Sequence, residues 1–355
     1  MQIEEVDRPQ ASKLQDWKPA PKHEPWRGDG FSAHTADLFN SAIAAAAIAA
    51  LFDLGLFDEL EQNEAVRVRE FCGQRGLHLP SISMLLYTLQ CFDIVALSPD
   101  KDLVRPGKAF AETRRDKGYF LWLVRGYGYL WQNLSDLVKN GKGSFDSVGR
   151  DGRYIAKAGR DYGAQFVDAD FTDMLYQMPF KAAADFGCGS AFRLIDLARK
   201  NPAFRAMGID INEGAVKLAQ EAIAAANLQD RLTVLRADVN KLEARPEFAE
   251  VEALFSFFMG HDLWPRENCL NVLRRLRAVF PAAKRFLLSD TFRSDVPPSR
   301  HVPIFTLGFE VSHAVMGQYI PSAEEWMELF AEAGWHCVAR RDLGIPFSAI
   351  FDLRQ

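Results

Sequence analysis

Asp185-Phe186-Gly187-Cys188-Gly189-Ser190 closes the apolar run Ala182-Ala183-Ala184 and opens onto a helical pattern carrying Leu194, Ile195 and Leu197. A strand that turns into a helix through glycines lets the backbone come close to a ligand at the carboxyl end of a sheet. Strand-like runs recur at 206–209, 232–235, 251–256 and 285–289, with helical stretches between several of them. Strands alternating with helices at this spacing predict a doubly wound, Rossmann-like α/β sheet. A glycine turn also occurs where nothing binds, so its meaning depends on the neighbouring strand ends.

Two of those ends carry acids. Asp210 closes the second strand, 23 residues after Gly187, where a carboxylate accepts hydrogen bonds from both hydroxyls of an adenosine ribose. Asp238 follows the third strand, placed for an adenine amino group, and the apolar Ile211 and Val239 come directly after these acids. A dinucleotide site is the competitor, but Phe192 stands where G-x-G-x-x-G needs its third glycine. Acids at three successive strand ends fit S-adenosyl-L-methionine (SAM) better than NAD. The candidate cofactor residues are Asp185, Gly187, Gly189, Asp210, Ile211, Asp238 and Val239.

The 355 residues exceed a usual single core and predict two domains. A net charge of −5 excludes the basic footprint of a nucleic-acid binder and favours a small-molecule substrate. Five scattered cysteines, Cys72, Cys91, Cys188, Cys269 and Cys337, suggest neither a disulfide framework nor a zinc knuckle and suit a reducing cytoplasm. The start Met1-Gln2-Ile3-Glu4-Glu5 does not read as a signal peptide. The longest apolar span, the eleven residues Ala42 to Phe52, is short of the roughly 20 that cross a bilayer, so no membrane partner is expected.

Residues 1–30, with Pro9, Pro19, Pro21 and Pro25, read as an N-terminal arm; 31–150 read as a mainly helical domain and 151–355 as the catalytic domain. Within the helical domain, a helix ending near Gly55, another over Ser81–Cys91 and a hairpin about Pro99-Asp100-Lys101 resemble a winged helix. Leu79 to Leu89 holds no Lys or Arg, so dimerisation and covering the substrate are its expected duties, not DNA binding. The aromatic-rich Tyr119–Leu137 segment reads as helix-packing core or as a wall of the substrate site.

Together these motifs resemble the class I SAM-dependent methyltransferases, over about residues 35–350 when the front domain is included, as in the dimeric small-molecule O-methyltransferases. The resemblance implies a seven-stranded, mostly parallel sheet and a homodimer. Ala191 departs from it, since many relatives have a further glycine there.

After the fourth strand comes Phe257-Phe258-Met259-Gly260-His261-Asp262-Leu263-Trp264-Pro265. In the O-methyltransferases a similar element supplies a histidine base, so His261 is a candidate to deprotonate a phenol or amine without a metal; here Leu263 is an extra residue before the tryptophan. A second reading joins His261 and Asp262 to His313 as a 2-His-1-carboxylate metal set. Neighbours on a strand point to opposite faces, so His261 and Asp262 share one ion only from a loop. His301 is a rival third ligand.

This constellation resembles the β-carbon methyltransferases of α-keto acids in specialised amino-acid and natural-product biosynthesis. The resemblance implies an iron or zinc on His261, Asp262 and His313 that chelates the keto acid and stabilises its enolate. Asp290, after the fifth strand, is expected to orient His261 or to cap its loop. Arg125 is a candidate partner for a substrate carboxylate, which a guanidinium matches as a fork.

Overall fold

The early helices and turns form around a few buried side chains. In the computed structural model, which describes residues 33–140, 149–177, 180–299 and 301–355, the chain divides into two units, one ending at Arg125 and one running Gly126–Gln355. The expected arm, residues 1–30, lies outside the described residues.

In the first unit the helix Ala33–Asp53 stops at Gly55, whose φ of 82° turns the chain into the helix Leu56–Gln62. Phe52 and Phe57 then stack at 3.8 Å. Strand β1 (Val66–Arg67), the helices Val68–Arg75 and Leu79–Cys91, and strands β2 (Val95–Leu97) and β3 (Leu103–Pro106) come next. The strands pair antiparallel in the order β1-β3-β2, which is the expected hairpin with one added strand. The Ala33–Asp53 helix buries Ala44, Ala47, Ile48 and Leu51 and packs on Leu79–Cys91. The eleven apolar residues Ala42 to Phe52 lie within its stretch His34–Asp53, whose mean hydropathy of 1.6 makes it long and apolar enough to cross a membrane by length and composition alone.

The second unit begins earlier than the boundary at 150 expected from the sequence. The helix Leu134–Asn140 packs against the helix Thr306–Val315, and the Asp151 N–H donates to the Gly126 carbonyl at 2.9 Å, so the segment after Arg125 belongs with the second unit.

The sheet of this unit holds β4 (Ala182–Phe186), β5 (Arg205–Asp210), β6 (Leu232–Arg236), β7 (Ala253–Phe257), β8 (Arg285–Thr291), β9 (His336–Asp342) and β10 (Ser348–Arg354). Their order is β6-β5-β4-β7-β8-β10-β9, parallel from β6 to β8, with β10 antiparallel to both neighbours. The expected seven-stranded, mostly parallel α/β sheet is therefore present. Both faces are covered, and Phe186, Phe280, Phe286, Trp326 and Trp335 form a dry core of the kind parallel strands require. Arg285 is buried within β8 yet satisfied, bidentate to Asp352 on β10 at 3.0 and 2.9 Å and bonded to the Met174 and Leu175 carbonyls. The parallel strands bring Asp185, Asp210, Asp238 and His261 to one edge.

Candidate active site

The glycine turn takes the shape its sequence demands. Gly187 and Gly189 have φ of 70° and 53°, a region costly for other residues. Ala191 shares that region at φ 55° and starts the helix Phe192–Lys200. Asp210 binds the turn from the next strand: its Oδ2 accepts the Gly189 N–H at 3.0 Å and its Oδ1 the Asn212 N–H at 2.9 Å. Each oxygen keeps a second lone pair for a ligand hydroxyl. Asp238 caps the short turn after β6, accepting from the Asn240 backbone and side chain at 2.9 and 3.0 Å. Ile211 is an apolar side chain left 63% exposed beside these acids, and Val239 is half-buried. Asp185 is buried with an Oδ1 that has no hydrogen-bond partner; burial pushes its pKa up to about 7, Arg193 opposing and Asp210 adding to the rise.

His261 and Asp262 lie on a 3-10 turn, Gly260–Leu263, and not on a strand. At three residues per turn, neighbours diverge by about a third of a circle, less than the half-circle that separates neighbours on a strand. His261 Nδ1 sits 2.6 Å from Asp290 Oδ1 and its Nε2 lies 3.8 Å from Asp262 Oδ1. Burial opposes charge on this imidazole, but the Asp290 and Asp262 carboxylates outweigh it and raise its pKa to about 9. His313, on the helix Thr306–Val315, meets His261 with ring centroids 4.9 Å apart. Its Nδ1 lies 2.6 Å from the Phe309 carbonyl. A carbonyl only accepts, so Nδ1 carries the proton and Nε2 a bare lone pair. Burial and the charge on His261 lower the His313 pKa to about 3, and the ring is neutral.

A methyltransferase domain family matches residues 183–281. The chain is 37% identical over 331 residues to the methyltransferase ungE' of Aspergillus campestris, covering 90% of this chain and 96% of that one. The chain belongs to the class I SAM-dependent methyltransferases of the small-molecule O-methyltransferase type. This methyltransferase is also 28% identical to the indolepyruvate C-methyltransferase of Streptomyces griseus (91% and 95% covered) and 25% identical to the 2-ketoarginine methyltransferase of Streptomyces arginensis (82% and 85%). Its fold matches human N-acetylserotonin methyltransferase in complex with SAM, at a TM-score of 0.67 and 14% identity over 93% and 99% of the two chains. The methyltransferase is thus a SAM-dependent enzyme.

The donor set of this methyltransferase suits a divalent ion in its chemistry. Both imidazoles are anchored through Nδ1, by a carboxylate and by a carbonyl, as metal-binding histidines are; His313 offers a bare Nε2, whereas His261 must first lose the proton that its raised pKa retains. Asp262 adds a carboxylate that is 31% exposed. Their spacing is open: among the described residues no three His, Cys, Asp or Glu side chains are gathered to hold a metal ion. His301 is exposed.

Arg125 lies in the first unit, its Nε 3.2 Å from Asp53 Oδ2. A different cation acts on the histidines electrostatically. Arg150, half-buried, donates to the Tyr127 hydroxyl at 3.3 Å, and its charge partly opposes the rise at His261 and adds slightly to the fall at His313. Gln318 is the other residue not expected from the sequence: its Nε2 donates to Asp262 Oδ1 at 2.6 Å. No local motif marks Arg150. Gly317 marks the end of a helix in the sequence, but no local signal ties Gln318 to Asp262, 56 residues away.

Proposed function

We propose that this methyltransferase transfers the SAM methyl group to the β-carbon of an α-keto acid in specialised amino-acid or natural-product biosynthesis. The observation that carries the reading is the pair of Nδ1-anchored imidazoles, His261 and His313, beside the Asp262 carboxylate. Two relatives support it, since indolepyruvate and 2-ketoarginine are both α-keto acids that differ only beyond the β-carbon.

The β-carbon gives up a proton to solvent, the C–H electron pair enters the enolate, and the β-carbon then displaces S-adenosylhomocysteine from the methyl group in line, the C–S bond's electrons leaving with sulfur. His261, Asp262 and His313 would hold an iron or zinc ion, which supplies a Lewis acid for the carbonyl and enolate oxygens. Arg150 takes the substrate carboxylate as a charge-assisted pair. Asp290 and the Phe309 carbonyl keep each Nε2 facing the reacting group. Asp185, Gly187, Gly189, Asp210, Ile211, Asp238 and Val239 hold SAM, with Asp210 on the ribose and Asp238 at the adenine. The rings of Tyr162, Phe258, Phe305 and Phe309, packed from Tyr162 through Phe309 to both histidines, exclude water. A homodimer is part of the proposal: Leu38, Phe39 and Ile43 leave an apolar face exposed on the first helix, and light scattering of the purified protein checks it.

The His261–Asp290 pair favours one second reading, a metal-free O- or N-methyltransferase in which the neutral form of His261, populated as pH rises toward about 9, takes a phenol or amine proton at Nε2. Elemental analysis separates the two. Wild-type protein and His313→Ala, both shown to bind SAM, are compared; about one iron or zinc per chain in the wild type and none in the variant supports the keto-acid reading. No metal in either after loading, with phenol or amine methylation surviving a chelator, selects the second.

A further inference from the structure

The helix carrying His313 ends in a left-handed turn at Gly317, φ 72°. The Gly317 N–H donates to the Ala314 carbonyl at 3.1 Å and the Gln318 N–H to the His313 carbonyl at 2.9 Å. This is the paired terminator in which the second residue past the helix bonds back to its last turn. The same Gln318 reaches Asp262 with its side chain at 2.6 Å. One residue therefore ties His313 through the main chain and Asp262 through the carboxamide.

We propose that Gln318 is a positioning residue that holds the Asp262 carboxylate in place beside His261 and His313. The oxygen it grips, Oδ1, is the one that faces His261 Nε2 at 3.8 Å. A carboxylate only accepts, so the carboxamide presents Nε2 to it and has one orientation. Its Oε1 is then left buried with no hydrogen-bond partner, a cost that an O–H or N–H donor arriving with bound ligand or water removes. Asp262 itself sits on a four-residue 3-10 turn, a short support that leaves its rotamer to such a contact.

The inference rests on the reading that these residues face the methyl acceptor, and not on which acceptor that is. Gln318→Leu and the isosteric Gln318→Glu are compared with wild type on whichever acceptor the wild type methylates. Crystal structures are solved with S-adenosylhomocysteine bound. Gln318→Glu keeps the shape and loses the donor, so positioning predicts that both variants lower kcat by about 10- to 100-fold. SAM affinity and Tm stay unchanged, and Asp262 turns away from His261 in the crystals. Full kcat in Gln318→Glu with loss only in Gln318→Leu would make the residue mere packing and overturn the proposal. So would an Asp262 that keeps its place in both crystals. A wild type that methylates phenols but no keto acid defeats the proposed function and leaves this comparison intact.

Discussion

Asp290 holds His261 at two points: its Oδ2 accepts the His261 backbone N–H at 2.7 Å, and its Oδ1 lies 2.6 Å from the ring Nδ1. The sequence left two roles for this acid, orienting the histidine or capping its loop, and the side chain does both. Oδ1 also accepts the Thr291 N–H at 2.8 Å, so the fully buried carboxylate takes part in three hydrogen bonds. Gly260 makes the approach possible, because a Cβ there would stand 2.6 Å from Oδ2.

Asp290→Asn keeps the shape but replaces one acceptor oxygen with an NH2 group facing donors. We expect kcat to fall by about 10- to 100-fold, as for other groups that orient a reacting imidazole, with SAM affinity unchanged. Steady-state kinetics and calorimetry read both, and a kcat within twofold of wild type would refute the role.

Arg150→Ala should raise the KM for a carboxylate substrate by roughly 10- to 100-fold, the worth of a lost charge-assisted hydrogen bond. Arg125→Ala, whose guanidinium is engaged by Asp53, should leave KM near its wild-type value. The reverse pattern would return the carboxylate to Arg125.

Asp185 supplies a pH signature. Its pKa of about 7 lies above the ordinary 3.8, chiefly because it is buried. Between those values the unfolded chain ionises while the folded one keeps its proton, so the ligand-free protein loses stability as pH rises through the window and levels off above it. SAM brings a sulfonium and an ammonium that favour the ionised acid, so binding near pH 6.5 should release a proton. Calorimetry in buffers of different ionisation enthalpy measures that release. Equal apparent enthalpies in all buffers, or an unchanged release in Asp185→Asn, would sink the assignment.

Ala191 sits in the left-handed region and is fully buried. Ala191→Gly removes a strain of about 1 kcal/mol while freeing the unfolded chain by a similar amount, so a small net change is expected. Ala191→Val should destabilise by about 2–3 kcal/mol through overpacking and a β-branched residue at positive φ. Urea unfolding of the two variants checks the contrast, and equal midpoints would contradict it.

The five parallel strands were legible because each is a short apolar run bounded by turns, and β4 to β8 lie where those runs predicted them. β9 and β10 were not read from the residues. β9, His336–Asp342, is an edge strand with three charged residues in a row and no buried alternation. Asp210 and Asp238 could be placed because strand ends are local features. His261 and His313 are 52 residues apart, and their meeting depends on how a helix docks at the sheet edge, which periodicity does not encode. Arg150 shows the same limit: its charge acts on both histidines from more than a hundred residues away in the sequence, whereas Arg125, within the aromatic run, is held by Asp53.

The most direct test of the central claim is the position of the transferred methyl. Incubating the metal-loaded protein with 13C-methyl SAM and indolepyruvate or 2-ketoarginine, then reading the product by NMR, should show the label as a methyl group on the β-carbon, coupled to one remaining proton. A label found on oxygen or nitrogen, or found only when a phenol or amine is supplied, would contradict carbon methylation.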